Sequence, residues 1–165
     1  MAFVKLNLQD DAMLMKLLPL YQQYEAEISG EPIADIFPPD EAEENAAYFM
    51  AYFGRGITTY VHVVDSEIQG FVGFNIDCEA VPGYADGYHG WGHIAEIYIH
   101  MPWRRAGLGR AMVDRAEAEL KQLGAEGIYL TDISGNGCFW ESLGYVDTGK
   151  IEPSEGGRIF EKRPC

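Results

Sequence analysis

The chain has 165 residues, 47% of them apolar and 13% aromatic, which is enough to bury a core and too apolar for a disordered segment. Twelve Lys and Arg against 26 Asp and Glu give a net charge of −14, which repels phosphate backbones and anionic lipid, so neither nucleic acid nor a membrane surface is an expected partner. No apolar run reaches the about 18 to 20 residues of a membrane span and no signal-peptide pattern opens the chain, so the expectation is one soluble domain over residues 1–165, in the cytoplasm.

Cys78, Cys138 and Cys165 are scattered and lack zinc-ligand spacing, so reduced thiols and no metal are expected, with Cys165 open to adventitious disulfides in vitro. The charge is uneven along the chain. Residues 1–95 hold three bases and 15 acids, whereas residues 96–165 hold nine bases and 11 acids. Small cationic partners would be drawn to such a surface, although solubility alone also accounts for it.

The segment FVKLNL alternates and reads as a first strand. Asp10 and Asp11 can cap a helix whose apolar positions Leu14, Leu17, Leu18, Tyr21 and Tyr24 recur at helical spacing, with a kink or a break expected at Pro19. GEPIADIFPP reads as a loop, and Asp40 with Glu43 has capping-box spacing before a short helix that runs to about Phe53. ITTYVHVV and EIQGFVGFNI form a hairpin across the polar DSE. EAVPGYADGYHGWG is a long ring-rich loop leading into the strand HIAEIYIH. Leu108, Met112, Val113, Ala116, Leu120 and Leu123 mark a helix ended by Gly124, with Glu117 and Lys121 paired on its outer side. GIYLTDI, the helical turn CFWESL, and the strands YVDTGKI and RIFEKR complete a mixed α/β order with one strand-helix-strand crossover.

Between the strand HIAEIYIH and the helix from Leu108 lies MPWRRAGLGRAM. A helix start offers unpaired N–H groups and partial positive charge; glycines let that backbone approach an anion, and arginines add charge. A phosphate or pyrophosphate cradle is therefore expected, although a tight turn needs glycine for steric reasons alone. The Walker pattern is absent, and the third glycine of the dinucleotide fingerprint is Met112.

The stretch RRAGLG, with Arg104, Gly107 and Gly109, resembles the Q/R-x-x-G-x-G/A signature of the GNAT superfamily of N-acetyltransferases. HIAEIYIHMPWRR resembles that family's fourth strand, and CFWESLGYVDTG its Phe-Tyr-x-x-x-Gly-Phe segment, here Phe139, Trp140, Gly144 and Tyr145. The resemblance implies a mixed, mostly antiparallel sheet of about seven strands flanked by about four helices, with the fourth and fifth strands parallel and splayed. It implies acetyl-CoA as co-substrate. The loop Arg104, Arg105, Ala106, Gly107, Leu108, Gly109 and Arg110 would hold the pyrophosphate. Ile97, Tyr98 and Ile99 would pair with the pantetheine arm, and Asn136, Phe139 and Trp140 would lie beside it. Dimers are common in such a family, so a homodimer is allowed for, although no residue here argues for one.

Transfer to an amine needs a proton acceptor and a polarised thioester. Glu96, a carboxylate inside an apolar β run, is the candidate base, directly or through water; an ion-pair role is the competing reading. The backbone at Ile97 is the implied carbonyl polariser. Glu96, Tyr98 and His100 are expected on one strand face and Ala95, Ile97 and Ile99 on the other. Trp140 stands where relatives carry a tyrosine acid, and indole cannot supply that proton, so the thiolate is expected to leave unassisted or through water, with Ser142 or Cys138 as the alternative donors. Tyr24, Tyr84, Tyr88, Trp91 and His93 are candidates to line the acceptor pocket through cation–π contact, unless the loop rings pack on one another. His93 is the alternative base. The expected function is acetyl transfer to a primary amine, on a small cationic molecule or a basic peptide. The alternative is an acetyl-CoA-binding sensor without catalysis.

Overall fold

In the computed structural model, which describes residues 2–163, the alternating and β-branched runs form one seven-stranded sheet. Its strands are β1 (Ala2–Lys5), β2 (Thr58–Val64), β3 (Glu67–Ile76), β4 (Gly92–Ile99), β5 (Ile128–Asp132), β6 (Val146–Ile151) and β7 (Arg158–Lys162). The spatial order is β1-β2-β3-β4-β5-β7-β6, and every neighbouring pair is antiparallel except β4 and β5. The β2–β3 hairpin turns at Asp65 and Ser66, both at positive φ. Cys165 lies outside the described residues, and Cys78 and Cys138 are free thiols. No helix among the described residues is long and apolar enough to cross a membrane.

Helices cover both faces of the sheet. The helix α4 (Leu108–Gln122) buries Leu108, Met112, Val113, Ala116 and Leu120 against Val72, Phe74, Ile94, Leu130 and Phe160, where α5 (Gly137–Ser142) adds Trp140. Each such side chain contributes about 1.5–3 kcal/mol by leaving water. On the other face, α1 (Asp11–Ser29) and α3 (Ala42–Phe53) bury Leu14, Leu17, Tyr21, Phe49 and Phe53 against Val61, Phe71 and Tyr98.

Several local expectations are corrected. The first helix is not divided at Pro19 but continues to Ser29. The ring removes one hydrogen bond, to the carbonyl of exposed Met15, where water can replace it. The segment 30–39 contains a helical turn, α2 (Ile33–Ile36), rather than loop alone. Glu41, not Asp40, precedes α3, without a side-chain cap bond. Glu117 does not pair with Lys121; Lys162 Nζ and the Tyr145 hydroxyl, which reach it from the sheet, donate to it instead. In β4 the simple alternation is interrupted. Gly73 pairs with Glu96 and Phe74 with Ile94, so Ala95 bulges and the strand changes face there.

Candidate active site

The β4–β5 pairing is confined to Gly92 with Ile128 and His93 with Tyr129. Beyond His93 the two parallel strands separate, which leaves the Ile97–Ile99 stretch of β4 without a partner on that side. A groove of about 960 Å³ occupies the opening, walled by Ile97, Tyr98 and Ile99, by Arg104, Arg105, Gly107, Gly109 and Arg110, and by Asn136, Phe139 and Trp140. Thirteen cofactor-binding residues are expected from the sequence, and these eleven meet around one groove. Of the other two, Leu108 turns its side chain into the core, and exposed Ala106 does not line the groove.

At the groove's end a 3-10 turn, Met101–Trp103, feeds a loop in which Arg105 and Gly107 both have positive φ, 66° and 83°. Gly107 precedes α4, and the first helical bond runs from Ala111 N–H to Gly107 O. Among the described residues, the N–H groups of Leu108, Gly109 and Arg110 find no backbone acceptor, so three amide donors and the helix's partial positive charge face one spot. Arg104 is already engaged. Its Nη2 donates to Glu27 Oε2 at 2.6 Å and its Nε to Ile99 O at 2.8 Å, which ties the loop to α1. Arg110 Nη2 donates to Ser142 O at 3.2 Å, while Arg105 remains exposed.

A second cavity of about 390 Å³ adjoins the groove, with Glu96 in its wall. The Glu96 side chain is 1% exposed, and Arg55 Nη2, from just beyond α3, donates to its Oε2 at 2.5 Å. The guanidinium also lies 4.0 Å over the Tyr52 ring. Burial pushes the Glu96 carboxyl above the usual carboxylate range, and Arg55 and Tyr52 pull in the opposite direction. Space for the carboxylate exists because residue 73 is glycine: a Cβ there would collide with Glu96 Oε1.

The acceptor-side aromatic candidates divide. Tyr24 and Tyr84 line the smaller cavity. Burial and the Glu96 charge push the Tyr84 phenol up to about 12. Tyr88, Trp91 and His93 line neither cavity. Tyr88 stacks on Tyr129 at 4.1 Å and meets Trp91 edge-on, in a separate small core. His93 is fully buried, with Nδ1 3.2 Å from Asn75 Oδ1. Desolvation lowers its pKa to about 4, so it is neutral at pH 7.

Sequence reasoning missed Arg55, Tyr52, Gly73 and Glu155, which come from separate elements. Arg55 carried a signal, as the only Lys or Arg between Lys16 and Arg104. Glu155 reaches the cavity wall on a turn built by Glu152, whose carboxylate accepts from Ser154 and Glu155 N–H. Glu25 lines the same cavity, and burial pushes its carboxyl up.

A sequence profile described as the acetyltransferase (GNAT) family matches residues 20–145. Comparison with curated protein sequences finds no match. Among solved structures, an aminoglycoside 6'-acetyltransferase type Ii superposes with a TM-score of 0.69 at 16% identity, over 99% of this chain and 97% of that one. PH1933 from Pyrococcus horikoshii OT3 gives 0.68 at 20% identity, over 99% and 98%. The PaiA N-acetyltransferase from Thermoplasma acidophilum, solved with coenzyme A, gives 0.63 at 15% identity, over 99% and 100%. At such identities these likenesses establish the fold.

Proposed function

The chain belongs to the acetyltransferase (GNAT) family, and on that premise we propose that it moves an acetyl group from acetyl-CoA to a primary amine of a small cationic molecule or a basic peptide, in the cytoplasm. The observation that carries this reading is the junction of the two cavities. One leads to the amide cradle at the start of α4, and the other has Glu96 in its wall. Acetyl-CoA supplies an already activated acyl group, so no covalent enzyme intermediate is needed.

In this reading the N–H groups of Leu108, Gly109 and Arg110, with the Arg105 and Arg110 charges, hold the pyrophosphate. The open edge of β4 from Ile97 to Ile99 aligns the pantetheine arm, and the Ile97 backbone polarises the thioester carbonyl. The amine attacks from the smaller cavity, and Glu96 takes its proton, directly or through water. The arrangement favours a cationic acceptor: Glu25, Asp132 and Glu155 join Glu96 in that wall against Arg55 alone, and Tyr24, Tyr48, Tyr52 and Tyr84 offer ring faces. One protein of this fold is an aminoglycoside acetyltransferase, which is in keeping with an amine acceptor here.

Thermal-shift titration with acetyl-CoA, against ATP and NAD, tests the donor. A ligand bound only by the folded state stabilises by about 2.7 kcal/mol at a hundredfold excess over its Kd. The expected result is a shift confined to acetyl-CoA. An equal shift with ATP would reduce the loop to a general phosphate binder.

A further inference from the structure

Trp140 occupies the place where a tyrosine acid is expected, so the departing thiolate lacks an obvious proton donor. The two cavities narrow the choice. Six residues line both: Tyr24, Ile28, Ile97, Ser134, Asn136 and Trp140. If the coenzyme lies in the larger and the amine in the smaller, the reacting thioester sits against this shared wall. The isoleucine side chains carry no proton to give, and an amide or an indole does not release one to a thiolate. Ser134 is exposed and, among the described residues, has no side-chain partner that would return a proton.

We infer that Tyr24, on α1, is the proton donor to the leaving thiolate and is recharged through Tyr52 from Glu96. The inference rests on the acetyl-transfer reading above. The Tyr24 ring is fixed edge-on between Phe71, at 5.4 Å, and Tyr98, at 5.7 Å, on the sheet face that carries α1. Tyr24, Tyr52 and Glu96 all line the smaller cavity, and the Tyr52 ring lies 4.0 Å from the Arg55 guanidinium that donates to Glu96. Exchangeable protons in one cavity wall thus stand between the base and Tyr24, which the two cavities share.

The step balances without another reactant. The amine nitrogen forms the C–N bond as the C–S bond breaks, and the electron pair of that bond leaves with sulfur. Glu96 receives the amine proton and passes it to the Tyr52 oxygen. Tyr52 passes its own proton to Tyr24, and Tyr24 passes its proton to sulfur. The products are the amide and the free thiol, with all three side chains restored. Burial, then the Glu96 charge beside it, holds the Tyr24 phenol well above the ordinary tyrosine range. A free phenolate is therefore disfavoured, and the proton leaves only as its replacement arrives.

The test uses the full chain, acetyl-CoA, and whichever amine in a panel gives the fastest thiol release. Under single-turnover conditions Tyr24→Phe is expected to slow release about 100-fold, with the acetyl-CoA Kd within about twofold of wild type. The dependence of rate on the D₂O fraction is expected to curve for wild type, with several protons moving together, and to become linear in Tyr24→Phe. Tyr52→Phe, which cuts the relay and spares the donor, is expected to slow release and lose the curvature as well. Unchanged release in Tyr24→Phe, or slower release with the curvature intact, overturns the role of Tyr24 alone. No thiol release by wild type with any amine overturns the acetyl-transfer reading and the relay with it.

Discussion

Arg55 donates Nη2 to Glu96 Oε2 at 2.5 Å, and the carboxylate that receives it is 1% exposed. A lone carboxylate at that depth would take up a proton instead of staying charged. The guanidinium counters this, so the ion-pair and base readings of Glu96 describe one arrangement. Arg55 thus favours the ionised form that a base requires.

The pH profile of kcat/KM should carry this relationship. Burial raises the Glu96 carboxyl and Arg55 opposes the rise, while Glu25, Asp132, Glu155, Tyr24, Tyr48, Tyr52 and Tyr84 are the other ionisable groups lining that cavity. With Glu96 as the proposed base, activity should be lost as pH falls through the Glu96 pKa, above the ordinary carboxylate range. Arg55→Met removes the opposing charge and should move this acidic limb to higher pH. Glu96→Gln should lower turnover by about 100-fold or more with coenzyme binding nearly intact. A limb that stays in place in Arg55→Met contradicts the pairing argument.

Gly73→Ala places a methyl group where the Glu96 carboxylate lies. Over-packing of this kind costs about 1–3 kcal/mol, and the carboxylate that must shift is the one bound by Arg55. The variant should fold, melt at lower temperature and lose most of its turnover. Chemical denaturation beside single-turnover kinetics checks both parts.

Gly107 holds φ at 83° at the head of α4, with no atom within 4 Å of where a Cβ would lie. Alanine there is a backbone test, costing about 1–2 kcal/mol in the left-handed region. If the loop relieves that strain by leaving its cradle shape, the KM for acetyl-CoA rises about 5- to 30-fold. Gly124→Ala, at φ 85° and equally free of neighbours, lies past the far end of α4 and serves as the control. It should cost similar stability and leave that KM unchanged.

His93 gives a stability prediction independent of catalysis. Its folded pKa is lowered to about 4, below the ordinary value of about 6.5 in the unfolded chain. Above pH 6.5 both states are neutral there, and nothing is lost. As pH falls from 6.5 to 4 the unfolded chain takes up a proton that the folded one refuses. Stability should fall by up to about 3 kcal/mol across that window and level off below it. Denaturation of His93→Gln over the same range should show a shallower loss than wild type.

The larger groove and its loop were legible in the sequence because their parts are contiguous. Arg104 to Arg110 are one turn, and the strand before it and the helix after it carry clear periodicities. The smaller cavity was not, because Arg55, Tyr52, Gly73 and Glu155 meet only when α3, β3 and the β6–β7 turn converge on β4. The rings of residues 84–93 illustrate the difficulty. Composition alone does not tell Tyr84, which reaches the cavity, from Tyr88 and Trp91, which pack on each other and on Tyr129. The bulge at Ala95 likewise depends on what β3 places opposite it, which no local pattern records.

The central claim is tested most directly by free-thiol release from acetyl-CoA across a panel of amines, including diamines, polyamines, aminoglycosides and basic peptides, with neutral alcohols as controls. The account predicts release that depends on the amine, is fastest with cationic acceptors and is matched by one acetyl group gained on the acceptor by mass. Acetyl-CoA binding without thiol release from any amine would contradict it and leave a coenzyme sensor.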